Sequence, residues 1–467
     1  LKSPTACAPV AKLPFEHHRL FTIAAMPIKP SQSHRHAKNT PTLPADMAVY
    51  MVGGAVRDQL LGVPVHDRDW VVVGACPAVM EAHGFTPVGK DFPVFLHPQT
   101  HEEYALARTE RKSGHGYKGF TVYADQAVTI EEDLARRDLT INAIALRTLA
   151  DGSQQWVDPY DGRGDVQRKV LRHVTEAFAE DPLRILRIAR FAARFTAFEV
   201  APETMALMQA MVQAGEAAHL VPERVWQELA KGLMERAPTR MFDVLRHCGA
   251  LAVVLPEIDN LWHIDADAGA DAGASAGMRS MHRLATAAQA GLSLAERWAV
   301  LAVDVGRYAR NDHVAASAHT NAKCRKQAAL HALAERLRVP SDIRDLSVLV
   351  AEEGPGIICL PAHLDAGEVL HLLERCDAFR RPERFEQILT ACQWLDADCA
   401  STAKHAKIQT TLARLRASLQ VAQQVPTAAI AQKAFEQGLK GDKIGECIQQ
   451  ARTEAIAQYL ALEAKQT

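Results

Sequence analysis

Two aspartates, Asp67 and Asp69, flank an arginine just ahead of an apolar run in the segment GGAVRDQLLGVPVHDRDWVVVG, residues 53–74. A carboxylate at the edge of a buried strand needs a cation, an ion-pair partner or open solvent. Side chains alternate along a strand, so Asp67 and Asp69 are expected on one face and Arg68 on the other. Two carboxylates placed this way can share a divalent cation such as Mg2+, which takes oxygen ligands and enters with substrate phosphates. Taken alone, the pair is also explained by chance or a salt bridge. The residues upstream add the phosphate side. Gly53 and Gly54 close an apolar strand and open a helix, where bare backbone and the helix N-terminus favour an anion, and Arg57 falls in the first helical turn. No third glycine follows at G-x-G-x-x-G spacing, so a dinucleotide-binding reading fails. Glycine pair, arginine and paired aspartates together predict a site for a metal-bound nucleoside triphosphate.

The elements that must carry these residues come from hydrophobic period. Up to about residue 149, the β-rich runs AVYMVGG, WVVVGA, VFLH and YALART alternate with the helical stretches AVRDQLLG, PAVMEAHG and TINAIALRTL. ERKSGHGYKGF, rich in Gly and Lys, reads as a mobile loop. DPYDGRGD, residues 158–165, reads as a turn, and beyond it nearly everything has helical period. The expectation is an α+β chain: a mixed-sheet head at 47–165, a helical neck and body at 166–264, a low-complexity linker at 265–277 (DADAGADAGASAG) and a helical domain at 278–467. Residues 1–46, rich in Pro, Ser, His and Lys, are expected to be a disordered extension, with MAVYMVGGAV at Met47 resembling a natural start.

The 467 residues are 48% hydrophobic and 23% charged, which argues against wholesale disorder. A net charge of −2 gives no global sign of nucleic-acid binding, so any basic surface must be local. Nine cysteines without a C-x-x-C pair suggest free thiols in a reducing cytoplasm, and no apolar run is long enough to cross a bilayer. The basic surface is legible in EDPLRILRIARFAARF from residue 180. At 3.6 residues per turn Arg184, Arg187, Arg190 and Arg194 form one stripe, with Ile185, Leu186, Ile188, Phe191 and Phe195 over much of the rest. An arginine stripe beside this much apolar surface suggests a cleft wall; snorkelling arginines are the alternative.

GGAVRD followed by DRD, then RRDLTINA (residues 136–143) and EDPLRILRIAR (residues 180–190), resembles the nucleotidyltransferase superfamily that includes DNA polymerase beta, and within it the bacterial CCA-adding tRNA nucleotidyltransferases and poly(A) polymerases. VGKDFPVFLHPQTHEEYALARTERKSG is similar to the long bacterial CCA-adding enzymes. The resemblance implies that Asp67 and Asp69 hold Mg2+ for in-line attack of the tRNA 3′ hydroxyl on the α-phosphorus, one ion activating the nucleophile and the other neutralising the leaving pyrophosphate. Glu103 is a candidate third carboxylate. It implies further that Arg137 reaches the triphosphate, that Asp138 and Asn142 bond the ribose 2′ hydroxyl, and that DPYDGRGD is a hinge. Asp181 lies one turn before Arg184. Cytosine and adenine both present an amine donor beside a ring-nitrogen acceptor, whereas guanine and uracil reverse that order. A carboxylate and a guanidinium side by side therefore suit CTP and ATP, with Arg187 and Arg190 supporting the nucleotide. The partners implied are the tRNA 3′ end, CTP and ATP.

In the long enzymes the C-terminal half resembles an HD-type phosphohydrolase. Here His282 and Asp377 are candidate first and last ligands and Asp304 is present, but Val303 stands where the central histidine is expected, so metal binding should be severely weakened. The helices are expected to serve as a tRNA-contacting or dimerising module. Alternatives are a poly(A) polymerase using ATP alone, an HD-type hydrolase with an inactive head, and a non-catalytic RNA-binding protein.

Overall fold

The structure, a computed structural model, describes residues 47–88, 93–112, 120–123, 125–264, 275–308, 322–361, 363–396 and 402–465. The expected extension at 1–46 and most of the expected linker lie outside these residues.

The head is built on β1 (Ala48–Val52), which leads through Gly53 into α1 (Gly54–Leu60). Then follow β2 (Asp69–Val73), α2 (Pro77–Ala82), β3 (Thr86–Pro87), β4 (Val94–Leu96) and β5 (Glu103–Leu106). β6 (Thr109–Lys112) and β7 (Phe120–Tyr123) form a separate two-stranded hairpin. After α3 (Ile130–Ala135) and a short 3-10 turn at Thr140–Asn142 come β8 (Ala145–Thr148) and β9 (Gln154–Val157). The main sheet has order β3-β4-β5-β2-β1-β8-β9, with β2 and β5 parallel and the other neighbours antiparallel. Period-two alternation fills both faces of β1. Tyr50 and Val52 pack with Val71, Leu134 and Ala145, while Met51 packs with Ala55, Val56, Ile144 and Leu146 on the other side.

Two expectations are corrected here. TINAIALRTL is not a helix, because Ala145 and Leu146 pair with β1 and need extended backbone beside the sheet centre. The expected mobile loop is in part the β6–β7 hairpin, whose tip lies outside the described residues.

α4 (Gly162–Arg168) leads to the short parallel pair β10 (Val170–Leu171) and β11 (Glu199–Val200), which brackets α5 (Leu183–Arg194). Helices continue with α6 (Pro202–Gln213), α7 (Pro222–Met234), α8 (Thr239–His247), α9 (Ala250–Val254), α10 (Pro256–Asp259), α11 (Ala276–Gln289), α12 (Leu294–Arg307), α13 (Ala322–Leu337) and α14 (Ser341–Ile358). α15 (Ala366–Arg375), α16 (Pro382–Cys392), α17 (Thr402–Gln423), α18 (Thr427–Glu436) and α19 (Asp442–Glu463) complete the chain. α5 packs on α7 and α8, and α7 in turn on α12 and α13. One apolar cluster runs from Leu139 and Phe178 through Trp226 and Trp298 to Leu415, so the expected boundary at 265–277 does not divide the core. Ser275 caps α11, and Gly277 lies so close to Trp262 that a Cβ would stand 2.5 Å from its ring; the last residues of the expected linker are therefore packed helix.

DPYDGRGD also differs from an open joint. Asp158 accepts the backbone N–H groups of Gly162 and Arg163 at 2.7 and 2.9 Å, and a Cβ on Gly162 would stand 2.1 Å from the Thr140 carbonyl oxygen. Buried Asp165 accepts from Thr140 Oγ1 at 2.8 Å and pairs with Arg168 and Arg172. These bonds hold the segment as the packed start of α4.

Candidate active site

A cleft of about 580 Å3 opens between the head sheet and α5. Its floor is the β1–α1 turn and the start of β2. Gly53 has φ 68°, a left-handed conformation that costs glycine little, and a Cβ there would stand 3.0 Å from Arg137 Nη1 and 3.9 Å from Asp69 Oδ2. Bare backbone thus meets a guanidinium and a carboxylate at one point.

Only Asp69 of the aspartate pair lies in a strand. β1 pairs with β2 as far as Val52 opposite Asp69, and Gly53 then leaves the sheet, so residues 67 and 68 have no partner on that side. Asp67 and Asp69 are both exposed, but Asp67, two residues earlier, does not line the cleft, whereas Asp69 sits partly desolvated at its floor. Asp67 is nevertheless close enough for its charge to act on Asp69, whose pKa is raised by burial and by Asp67 against the opposing pull of Arg137. The parallel β2–β5 register sets Glu103 beside Asp69, and both line the cleft. Among the described residues no three His, Cys, Asp or Glu side chains form a ready-made metal cage. The donor set is a pair of carboxylates with a third nearby, which suits a hard cation that keeps water and phosphate oxygens in its shell.

One wall is the turn after α3. A reciprocal capping box between Thr129 and Glu132 starts this helix. At its end the carbonyls of Ala135 and Arg136 accept from Thr175 Oγ1 at 2.9 Å and Arg184 Nη2 at 2.6 Å. Arg136 and Arg137 both reach back to Asp133, at 2.7 and 3.1 Å. Asp138, expected to meet a ribose, is buried and engaged within the protein. Its Oδ2 accepts from Arg187 at 2.7 Å, and its Oδ1 accepts from the Leu139 N–H at 2.8 Å and Asn142 Nδ2 at 3.0 Å. Burial opposes ionisation, but Arg187 and Asn142 prevail and hold the Asp138 pKa down to about 2. Asn142 Oδ1 in turn accepts from Arg57 Nη1 at 2.5 Å.

Arg57 was expected to offer its charge to phosphate. It is instead turned inward, paired with Asp58 at 2.8 Å and stacked over Phe191 and Phe195 with its Cζ 5.4 and 5.0 Å from the ring centroids. Burial lowers its pKa.

The facing wall is α5, whose arginines do form one stripe along the cleft. Each is tied to another element. Arg184 donates to the carbonyls of Ala177 and Arg136, Arg187 to Asp138, Arg190 to Glu228 at 2.6 Å, and Arg194 to Asp58 at 3.2 Å. Asp181 does not pair with Arg184; its Oδ1 accepts from the Leu183 N–H and its Oδ2 from Arg224 on α7 at 2.9 Å. The expected neighbours Asp181 and Arg184 both line the cleft, as do Gly54, Arg57, Arg137, Asp138, Asn142, Arg187 and Arg190. Sequence reasoning passed over Arg108, Arg136 and Arg224, which also line it, and three carboxylates that hold cleft arginines: Asp133 for Arg136 and Arg137, Glu228 for Arg190, and Asp58 for Arg57 and Arg194. Asp133 stands three and four residues before the two arginines on a helix, and Arg224 and Glu228 are i,i+4 neighbours in PERVWQEL. Both spacings are signals that could have been read.

In the helical C-terminal region, Asp304 is buried and hydrogen-bonded to buried Arg283, while His282 is exposed and Asp377 is near Arg380, Arg381 and Arg384. The expected ligands His282, Asp304 and Asp377 are thus occupied by arginines or turned to solvent. Among the described residues no helix is long and apolar enough to cross a membrane.

Residues 49–172 match the model of the poly A polymerase head domain, and residues 197–261 match that of a probable RNA and SrmB-binding site of polymerase A. Curated relatives carry the name multifunctional CCA protein. The one from Paracidovorax citrulli is 53% identical over 420 residues, 89% of this chain and 99% of its own; that from Burkholderia cenocepacia is 50% identical over 425 residues, 89% and 100%. Solved structures share the fold at lower identity. A CCA-adding enzyme in complex with ATP aligns with TM-score 0.61 at 20% identity over 90% of this chain and 91% of its own. The Thermotoga maritima CCA-adding enzyme complexed with tRNA aligns with TM-score 0.57 at 20% identity over 89% and 91%. With half of its residues shared with those relatives across nearly their whole length, this chain belongs to the family of multifunctional CCA proteins.

Proposed function

We infer that the cleft between the head sheet and α5 carries out template-independent addition of CCA to the 3′ end of tRNA, using CTP and ATP. The observation that carries this reading is the convergence of Asp69, the Gly53 turn and the arginines of two walls on one cavity of about 580 Å3, within the size range of small-ligand sites. Asp67 and Asp69 are the residues that would hold Mg2+, with Glu103 beside them. The ion, when bound, supplies charge neutralisation for the triphosphate and activation of the primer hydroxyl. Arg137, turned toward the Gly53 backbone, meets the phosphates. Asp138 and Asn142 set the ribose end of the site through their bonds to Arg187 and Arg57. Asp181 and Arg184 read the pairing edge of the base, Asp181 being oriented by Arg224. The reaction is assigned to the cytoplasm, and the tRNA body is expected along the helical neck by phosphate and shape contacts.

The C-terminal helices contribute no metal-dependent hydrolase on this reading, because Arg283 supplies the positive charge beside Asp304. They serve tRNA contact or self-association as a homodimer.

The test is extension of a tRNA transcript ending before CCA, with Mg2+ and CTP alone, ATP alone or both, by the wild type and by Asp67→Ala and Asp69→Ala. Two additions with CTP, a third only when ATP is present, and loss of all three in both variants are expected. A long adenylate ladder with ATP alone would replace this reading with poly(A) polymerase.

A further inference from the structure

Asp133 is fully buried on α3 and does not line the cleft, yet it contacts two side chains that do. Its Oδ1 accepts from Arg136 Nη2 at 2.7 Å and Nε at 3.2 Å, and from the Arg108 backbone N–H at 3.4 Å. Its Oδ2 accepts from Arg137 Nη2 at 3.1 Å and Nε at 3.4 Å. Each guanidinium therefore presents the same edge, Nε and Nη2, to one carboxylate. The opposite corner of Arg137, Nη1, lies beside Gly53 and is 3.5 Å from the Asn142 carbonyl. A planar guanidinium anchored along one edge has a fixed direction for its remaining N–H groups, which a flexible side chain in solvent lacks.

We propose that Asp133 is a positioning residue for the nucleotide, holding Arg136 and Arg137 side by side so that they meet the triphosphate in one fixed geometry. The inference rests on the nucleotidyl-transfer reading above and adds to it a residue that touches no substrate. Because the clamp acts on phosphates, which CTP and ATP share, its loss weakens both nucleotides alike and leaves base choice intact.

The experiment compares wild type, Asp133→Asn, Arg137→Ala and the double variant. KM for CTP, ATP and tRNA is measured by extension, and CTP affinity is measured independently by calorimetric titration in Mg2+. In Asp133→Asn, KM for CTP and ATP should rise together by about tenfold, the scale of one charged hydrogen bond, while KM for tRNA and the preference for C and A over G and U stay within about twofold. In the double variant the loss of CTP affinity should be smaller than the product of the two single losses, since Asp133 acts in part through Arg137 and only its hold on Arg136 is left to lose. Unchanged CTP affinity in Asp133→Asn, or full additivity in the double variant, would overturn the proposal. A purely structural role would lower melting temperature and move tRNA and nucleotide KM together, which also overturns it. Should Asp133→Asn fail to fold, Arg137→Lys keeps the charge without the fork, and wild-type CTP affinity in that variant would refute the clamp. A wild type that binds CTP but extends no tRNA would sink the functional reading and leave the calorimetric comparison to decide this one.

Discussion

Replacing Asp138 with asparagine removes one charge from the joint between the head and α5 and keeps the side-chain shape. Asp138 is buried, and its pKa is held at about 2 against an ordinary 3.8, mainly by Arg187 once the opposing effect of burial is overcome. At about 1.4 kcal/mol per unit this difference amounts to about 2 kcal/mol of stability at neutral pH. The sign follows from the depressed value: the contribution is present above the unfolded-state pKa near 4 and is lost as pH falls toward 2. About half of it should remain at pH 3. For a region of this size 1 kcal/mol moves a melting midpoint by about 2–4 °C, so Asp138→Asn should melt about 4–8 °C below wild type at pH 7. Circular dichroism melts of both proteins at pH 7 and pH 3 test this, because acid effects common to the two cancel in the difference. Equal midpoints at pH 7, or a gap that does not narrow by pH 3, would show that the Asp138–Arg187 pair is not what ties α5 to the head.

Three further outcomes are expected. Arg224→Ala deprives Asp181 of its 2.9 Å partner, so kcat/KM for CTP and ATP should fall about tenfold in single-nucleotide extension; unchanged values would remove Arg224 from base selection. Gly162→Ala forces a methyl against the Thr140 carbonyl and should cost about 2 kcal/mol or more, read as a lower melting midpoint, whereas a wild-type midpoint would mean that the turn gives way. Asp304→Ala leaves Arg283 buried without its carboxylate and should destabilise by about 3 kcal/mol while CCA addition proceeds at the wild-type rate. Metal-dependent hydrolysis of 2′,3′-cyclic AMP that disappears in this variant would instead establish a working hydrolase centre.

Much of the site could be read from residue type and spacing. The glycine pair, Asp69 and the α5 stripe are local patterns, and each falls where the periodicity put it. What one dimension hid was partnership. Arg57 looked like a free charge because Asn142, 85 residues away, and two phenylalanines of α5 are invisible from its own helix. Asp181 and Arg184 are neighbours on one turn, yet Asp181 turns to Arg224, 43 residues on. TINAIALRTL has apolar spacing that suits a helix, and only the place between β1 and β9 makes part of it a strand. DPYDGRGD carries the composition of a turn, but composition does not report that Gly162 lies against the Thr140 carbonyl. Local chemistry was legible wherever the partner was water or a neighbour, and failed where tertiary contacts chose the partner.

The way α5 meets the rest of the cleft has one further consequence. Arg187 lies within 4 Å of both Asp138 and Glu228, and Arg190 within 4 Å of both Glu228 and Glu235. A greasy seam resists sliding because every displacement opens a gap. Here each guanidinium has a second carboxylate within 4 Å, but passing Arg187 on to Glu228 would leave buried Asp138 without its cation, so the seam tolerates small displacements of α5 while favouring one register. The hold is electrostatic rather than steric, and the stiffness of this wall should therefore depend on ionic strength.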